Sequence, residues 1–278
     1  MVSVTSLWAD ERMYWPVHFE PYTPAHHFEQ GKKDPEFRTK LGIAVGLVER
    51  AVAIGIPFRA VVADSFYGDD EGFKQGLRKL RVGYVLALKP SHSWWHWEGE
   101  VGSIRQVARG AGWKGAKSPG KWRRVERRFR DGHTEEWWAL EVIEGPYGPE
   151  RMHRAFVVST DPEELPEIGT WYLATNLPSP GSERASEEDT LPAASLEEVV
   201  RLYGLRMWIE QKLVADEAQL GLEPVPGEVG HSDQAALAVG VLHLLVLLVQ
   251  PEPLPRGWGA AFGRRTTGRA DGTGPRDR

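Results

Sequence analysis

Three groups of side chains in this chain have the types and spacing to do chemistry. The first is Asp64, which closes the apolar run Ala60-Val61-Val62-Ala63 and leads into Ser65-Phe66-Tyr67-Gly68. A carboxylate at the carboxyl end of a buried strand lies where open α/β sheets gather ligands and metals. Asp also caps turns of this kind, and position alone does not choose between the two readings. The second group is Tyr203, Arg206, Glu210 and Glu217. On a helical wheel they fall at about 100°, 40°, 80° and 60° from Leu202, a polar stripe bordering the apolar face made by Leu202, Leu205, Ile209, Leu213 and Leu220. That stripe is either a functional edge or an internal Arg–Glu pair at near-helical spacing. The third is a basic strip from Arg105 to Arg130, with ten Lys and Arg against Glu126 alone. Such a density suits a phosphate backbone, because each neutralised phosphate releases counterions; the plainer reading is the solvated face of a hairpin.

The elements that must position these groups follow from periodicity. Residues 58–63 read as a short buried strand, and Gly68-Asp69-Asp70 opens an amphipathic helix to about Leu80. Ahead of them, residues 2–8 and 14–19 read as two strands joined by a polar turn at Asp10-Glu11-Arg12, and residues 37–54 as a helix ending at Gly55. Residues 84–88 form another buried strand. From Ser93 to Asn176 the text changes to tryptophans, β-branched residues and Gly/Pro turns, with short strands expected at 122–129, 136–143, 154–158 and 171–174. The tryptophans there read as packing residues before a stacking platform. Leu177–Ala194 is a Pro/Ser/Glu-rich linker. Ser195 then stands three residues before Glu198, a capping-box spacing, at the start of a helix expected to run to about Leu220. The apolar stretch Ala235–Val249 is too short to span a bilayer and reads as a buried helix. After Gln250 the chain is Pro/Gly/Arg-rich and reads as a disordered tail. The expected organisation is therefore 1–92, a first α/β part; 93–176, a β-rich insertion; 177–194, a linker; 195–250, the completion of the core; and 251–278, the tail.

Composition excludes several classes. There is no cysteine, so disulfide frameworks, thiolate zinc sites and cysteine nucleophiles are ruled out. His26 and His27 are adjacent and would point apart on a regular element. His92, His96, His133 and His153 form no helical metal-ligand pair with an acid. The N-terminus lacks the basic and apolar regions of a signal peptide, so the cytoplasm is the expected compartment, with no membrane partner. The net charge of −5 argues against nucleic acid, but it hides the basic strip inside an acidic total.

Strand-borne Asp64 in DSFYG, a β-rich insertion, and then Tyr203-x2-Arg206-x3-Glu210 on a helix with Trp208-Ile209-Glu210 resemble the DDE-type transposases of bacterial insertion sequences, in the subgroup with a Tyr-Arg-Glu-Lys signature. The resemblance runs from about Trp8 to Val249. It implies an α/β fold with an RNase H-like core, a mixed sheet flanked by helices, interrupted by the β-rich insertion. It further implies that Asp64 and Glu210 are catalytic carboxylates holding Mg²⁺ or Mn²⁺ in a two-metal site. Tyr203 and Arg206 would contact the DNA backbone beside the metals, and Arg123, Arg124 and Arg127 of the basic strip would bind DNA as well. The implied partners are double-stranded DNA, as transposon ends and target, and a second copy or a full-length transposase.

The chain departs from this pattern in two places. The family's first aspartate lies on the first strand, whereas this chain reads as beginning at the second; Asp10 is the nearest substitute, but it falls in a turn. The signature lysine position holds Glu217, and Lys212 lies about 160° round the helix from Glu210. Three readings follow: a transposase domain, N-terminally truncated and inactive for want of that acid; a DNA-binding or oligomerising remnant that does not cut; or another RNase H-like nuclease completed by Asp69, Asp70 or Asp161. A missing first strand would leave an edge open in the central sheet, from which poor solubility or oligomerisation is expected.

Overall fold

The computed structural model describes residues 2–95, 101–129, 132–142, 153–186, 191–206 and 242–249. It is a mixed α/β architecture, as the resemblance implies. The elements in chain order are β1 (Val2–Ala9), β2 (Tyr14–Tyr22), α1 (Lys40–Ala53), β3 (Ala60–Ala63), α2 (Ser65–Gly68), α3 (Glu71–Lys79), β4 (Tyr84–Ala87), β5 (Ser93–Trp95), β6 (Val101–Ser103), α4 (Ile104–Arg109), β7 (Arg123–Arg128), β8 (Thr134–Val142), β9 (Arg154–Ser159), β10 (Thr170–Thr175), α5 (Leu196–Gly204) and β11 (Leu242–Val249). Nine of the strands form one sheet in the order β2-β1-β11-β3-β4-β10-β9-β8-β7, and β5 and β6 form a small hairpin apart from it.

Helix ends match the chemistry of their caps. Thr39 accepts from the Gly42 amide to start α1, and Gly55 turns the chain away after it at φ +74°. Asp70 accepts from the Phe73 amide at 2.7 Å to start α3. Helices α1 and α3 cover one sheet face, where Ile43, Leu47, Phe73 and Leu77 pack on Val4, Val61, Tyr84 and Leu86. Helix α5 covers the other face over Val62, Val85, Phe156 and Leu173. A third core, built from Trp94, Ile104, Val107, Trp122, Trp138 and Leu140, lies between α4 and the far strands.

Two expectations are corrected. The apolar stretch expected as a C-terminal helix is strand β11 over Leu242–Val249. A continuous run of eight apolar or aromatic-ring residues satisfies a strand buried on both faces as well as a helix. This strand takes the place where an open edge was expected. It pairs with β1 in parallel along all eight residues, from Val2 with Leu242 to Ala9 with Val249, and antiparallel with β3 at Ala60–Val62. Helix α5 ends at Gly204, where the amides of Leu205 and Arg206 switch to bonds three residues back. Its expected extension to Leu220 lies outside the described residues. The strands expected at 122–129, 136–143, 154–158 and 171–174 are β7 to β10, and they continue the main sheet because β10 pairs with β4.

A buried polar ladder ties α3 to β9. Arg78 donates to His153 Nε2 at 2.9 Å, and His153 Nδ1 meets the Tyr84 hydroxyl at 2.6 Å. Since guanidinium has only donors, Nε2 accepts and Nδ1 carries the proton. Burial, with the charge of Arg78 adding to it, lowers the His153 pKa to about 4. The folded chain therefore keeps this ring neutral where the unfolded chain protonates it, near 6.5. Stability from this site is complete above about pH 6.5 and is lost as the pH falls toward 4, by about 3 kcal/mol at most. Urea unfolding between pH 7 and 4.5 is expected to show a steeper loss for the wild type than for His153→Gln; parallel curves would rule the ladder out as its source.

Candidate functional site

Asp64 closes β3 in an extended conformation, and its Oδ1 accepts from the Phe66 amide at 3.0 Å. The capping reading is therefore real, but it uses one oxygen; the other has no partner among the described residues. Val62, two residues earlier, is in the core under α5, so strand alternation places Asp64 toward that same face. Helix α2 folds back on the sheet at once. Its Gly68 packs so closely on the end of β4 that a Cβ there would overlap the Ala87 carbonyl. Tyr67 is fully buried, its hydroxyl has no partner among the described residues, and burial followed by the charge of Asp64 raises its pKa well above the usual value.

Helix α5 is fixed at its start and delivers its end to the Asp64 side of the sheet. Ser195 Oγ accepts from the Glu198 amide at 3.1 Å. The Glu198 carboxylate does not return to close the capping box; it takes Arg59 Nε at 2.9 Å, and Arg59 also donates to the carbonyls of Pro192 and Ala193. Arg154, paired with Glu141 at 2.7 Å, donates to the Ala194 carbonyl at 2.7 Å and to those of Leu177 and Pro178 at 3.3 Å. Both ends of the linker are thus held by one guanidinium. From this anchorage near the amino end of β3, α5 crosses to β7 and β10, so Tyr203 and Arg206 stand at the opposite edge, the edge Asp64 occupies.

There they meet the basic strip. Strand β7 pairs with β8 so that Arg127 faces Glu135, Val125 faces Trp137 and Arg124 faces Trp138. Odd-numbered residues point to the α5 face and even-numbered ones to the α4 face. Arg127 lies 4.3 Å from the ring centre of Phe129, 4.9 Å from Trp137 and 4.4 Å from Trp171. Trp171 in turn meets Tyr203 edge-on at 5.0 Å, and Trp137 Nε1 donates to Glu135 at 2.8 Å. Together with Arg206 they line a cleft of about 410 Å³. It offers two guanidinium groups, a phenol, the Glu135 carboxylate held by Trp137 and flat aromatic walls, a set whose two cations can hold phosphate oxygens at its rim.

Of the residues expected to bind DNA, Tyr203, Arg206 and Arg127 converge on this cleft. Arg123 shares the face of Arg127 but lies outside the lining, and Arg124 is on the opposite face, paired with Glu136 at 2.5 Å. Glu210, Glu217 and Lys212 lie outside the described residues. Asp10 caps its turn, its Oδ1 accepting from the Arg12 and Met13 amides at 2.7 and 2.8 Å. Because β1 runs antiparallel to β3 across β11, Asp10 also lies at the edge opposite Asp64. The three acids of the nuclease reading are likewise engaged. Asp70 caps α3, and Asp161 accepts from the Glu163 and Glu164 amides. Asp69 holds His92 at 2.9 Å and the Lys89 amide. Among the described residues no group of three or more His, Asp or Glu could hold a metal ion, and no helix is long and apolar enough to cross a membrane. Asp64 fits a hard cation in donor type and in having an unspent oxygen, but its described surroundings supply no second carboxylate.

The aromatic walls were not foreseen as part of the site. The signal available was alternation: writing β7 and β8 with period two puts Arg127 and Trp137 on one face.

Comparison with known proteins bears on this arrangement. The profile described as DDE superfamily endonuclease matches residues 1–141, which include Asp64 and β7. A probable transposase for insertion sequence element IS701 from Microchaete diplosiphon is 30% identical over 210 residues, covering 75% of this chain and 46% of that protein. The chain thus spans about half the length of this curated relative.

Proposed function

The chain belongs to the DDE superfamily endonucleases, and from that membership we propose that it processes DNA at the ends of an insertion sequence by metal-dependent cleavage and strand transfer. The observation carrying this reading is the convergence of Tyr203, Arg206 and Arg127 in one cleft on the α5 face, at the end of the sheet toward which β3 carries Asp64, which is not itself a lining residue. Asp64 and Glu210 would hold Mg²⁺ or Mn²⁺, which when bound activate the attacking oxygen of an in-line displacement and stabilise the leaving one. Arg206 and Tyr203 grip the non-bridging oxygens of the phosphate being cut, so the strand enters with its scissile bond toward Asp64. Arg127, stacked between rings, keeps its charge at the cleft floor with little freedom to lose on binding. In the first step water adds to phosphorus and the 3′ oxygen leaves with a proton; in the second, that 3′-hydroxyl attacks a target phosphodiester and displaces its 3′ oxygen.

The test is nicking of a duplex carrying the element's terminal repeats in Mn²⁺ or Mg²⁺, with Asp64→Asn and Glu210→Gln beside the wild type. Arg206→Ala is expected to weaken duplex binding about tenfold and to lower the salt dependence of affinity by about one phosphate. Unchanged affinity and slope in a titration against salt would remove Arg206 from the interface.

A second reading has its own observation. The strand beside β3 on the β1 side, β11, has no acidic residue in its sequence, so the neighbour of Asp64 gives it no carboxylate companion. On that reading the chain holds DNA, or pairs with a longer transposase, without cutting. Salt-sensitive duplex binding with no nicking in either metal would select it.

A further inference from the structure

The basic strip does not enter the cleft as a whole. Between Arg109 and Arg124 the chain carries Arg109, Lys114, Lys117, Lys121, Arg123 and Arg124 with no acidic residue, and all six are exposed. Arg109 ends α4, the lysines stand on the loop that follows, and Arg124 faces the α4 side of β7 beside Trp138. Arg109, the three lysines and Arg124 thus belong to the sheet face opposite the cleft, whereas Arg123 points to the cleft's own face.

The loop is a built platform. The Lys114 amide donates to the Ser118 carbonyl at 3.1 Å, the Ser118 amide to Gly115 at 2.9 Å and the Trp122 amide to Pro119 at 3.1 Å. Gly120, at φ +61°, sits so tightly on the carbonyls of Ala111 and Gly112 that no side chain fits there. Beneath, Trp113 packs edge-on against Trp138 at 4.7 Å and Trp122 at 6.4 Å, and Trp122 and Trp138 are buried. The lysines are therefore carried on a backbone that is already ordered, which lowers the entropy lost on binding. Between the lysines the chain offers only Gly, Ala, Ser and Pro, and the one large apolar side chain beside them, Trp113, is half-buried against Trp122 and Trp138, leaving little apolar surface to anchor a protein partner. Glu126 and Glu136 lie nearby, the latter paired with Arg124, and a cationic excess remains.

We propose that this Trp-anchored lysine loop is a second contact for the phosphate backbone, so that one chain holds two duplexes on opposite faces of its sheet. The proposal rests on reading the cleft as a DNA site, since the second duplex is counted against the first. The sheet, with side chains on both of its faces, separates the two surfaces. An acidic protein segment would meet the same charges but would lack an apolar anchor here, and it becomes an outcome of the test.

The experiment counts short duplexes of arbitrary sequence per full-length chain by sedimentation with differently labelled protein and DNA. The wild type is expected to take two duplexes per chain. Lys114→Gln, Lys117→Gln and Lys121→Gln together should weaken the second duplex tenfold or more while changing the first by less than about twofold, and the corresponding triple Arg variant should restore it. Arg206→Ala should weaken the first and spare the second. One duplex per wild-type chain, a triple Gln variant that still takes two, or no recovery in the triple Arg variant would overturn the proposal; so would retention of an acidic peptide in place of the second duplex. Failure of the cleft reading looks different: Arg206→Ala would be silent, and the triple Gln variant would lose DNA altogether.

Discussion

Asp64→Asn is expected to remove metal-dependent nicking by three orders of magnitude or more, about 4 kcal/mol of transition-state stabilisation. The substitution isolates charge from fold. Asn keeps an oxygen at the Oδ1 position that accepts from the Phe66 amide, so the start of α2 stays capped. A neutral amide, however, cannot balance a divalent cation beside a phosphodiester. Duplex affinity should be unchanged or tighter, because a negative charge near the phosphate is gone, and the melting curve should stay within about 0.5 kcal/mol of the wild type. Initial rates of nicking in Mn²⁺, read beside binding and melting, check all three. An Asp64→Asn chain that cuts at the wild-type rate would remove Asp64 from the chemistry.

Gly68→Ala is expected to destabilise the fold by about 3 kcal/mol or more, the largest loss of any glycine-to-alanine change among the described residues. The reason is not backbone freedom: Gly68 lies outside the set of glycines with positive φ. It is contact. Helix α2 lies directly on the last residue of β4, and the added carbon would coincide with the Ala87 carbonyl oxygen, with the Leu86 side chain also in reach. A backbone carbonyl cannot swing aside as a lysine tip can, so α2 must lift and carry Asp64 with it. Chemical denaturation should show the loss, and any protein that still folds should nick more slowly than its stability alone explains. By contrast Gly55→Ala meets nothing within 4 Å and should cost only the strain of its positive φ. Equal losses at the two positions would refute the contact argument.

The elements around Asp64 were legible because local and global signals agreed there. Apolar runs of four residues, Asp and Thr at helix starts, and a glycine after α1 each point to one structure. The membership of Arg206 and Tyr203 in one stripe was legible too, since the wheel put them beside the apolar face that α5 buries. What escaped the reading had a common cause. Period and composition do not tell which distant segments meet. Leu242–Val249 has no alternation, and only pairing with β1 and β3 makes it a strand. The basic strip reads as one charge run in one dimension, yet β7 divides it, sending Arg127 to the rings of Phe129, Trp137 and Trp171 and Arg124 to Glu136. Helix α4 is the exception that carried a local signal: Ser103 and Gln106 form a complete capping box, hidden among tryptophans and turns. The spacing at Ser195 and Glu198 promised a second such box, but its carboxylate was drawn off by Arg59, a partner 139 residues away.

The placement of β11 also governs how the molecule comes into being. Strand β1 lies against residues made some 240 positions later, so on a ribosome adding about 5–20 residues each second it waits on the order of ten seconds or more for its parallel neighbour. During that interval the β1–β2 hairpin can form alone, and β3, β4 and the strands beyond them can assemble, but the two blocks have no hydrogen-bonded strand between them. The sheet is joined last at β11, the third of its nine strands. Synthesis therefore leaves two apolar edges facing each other across a gap, and their protection until β11 emerges is the step at which nascent chains would be lost to one another.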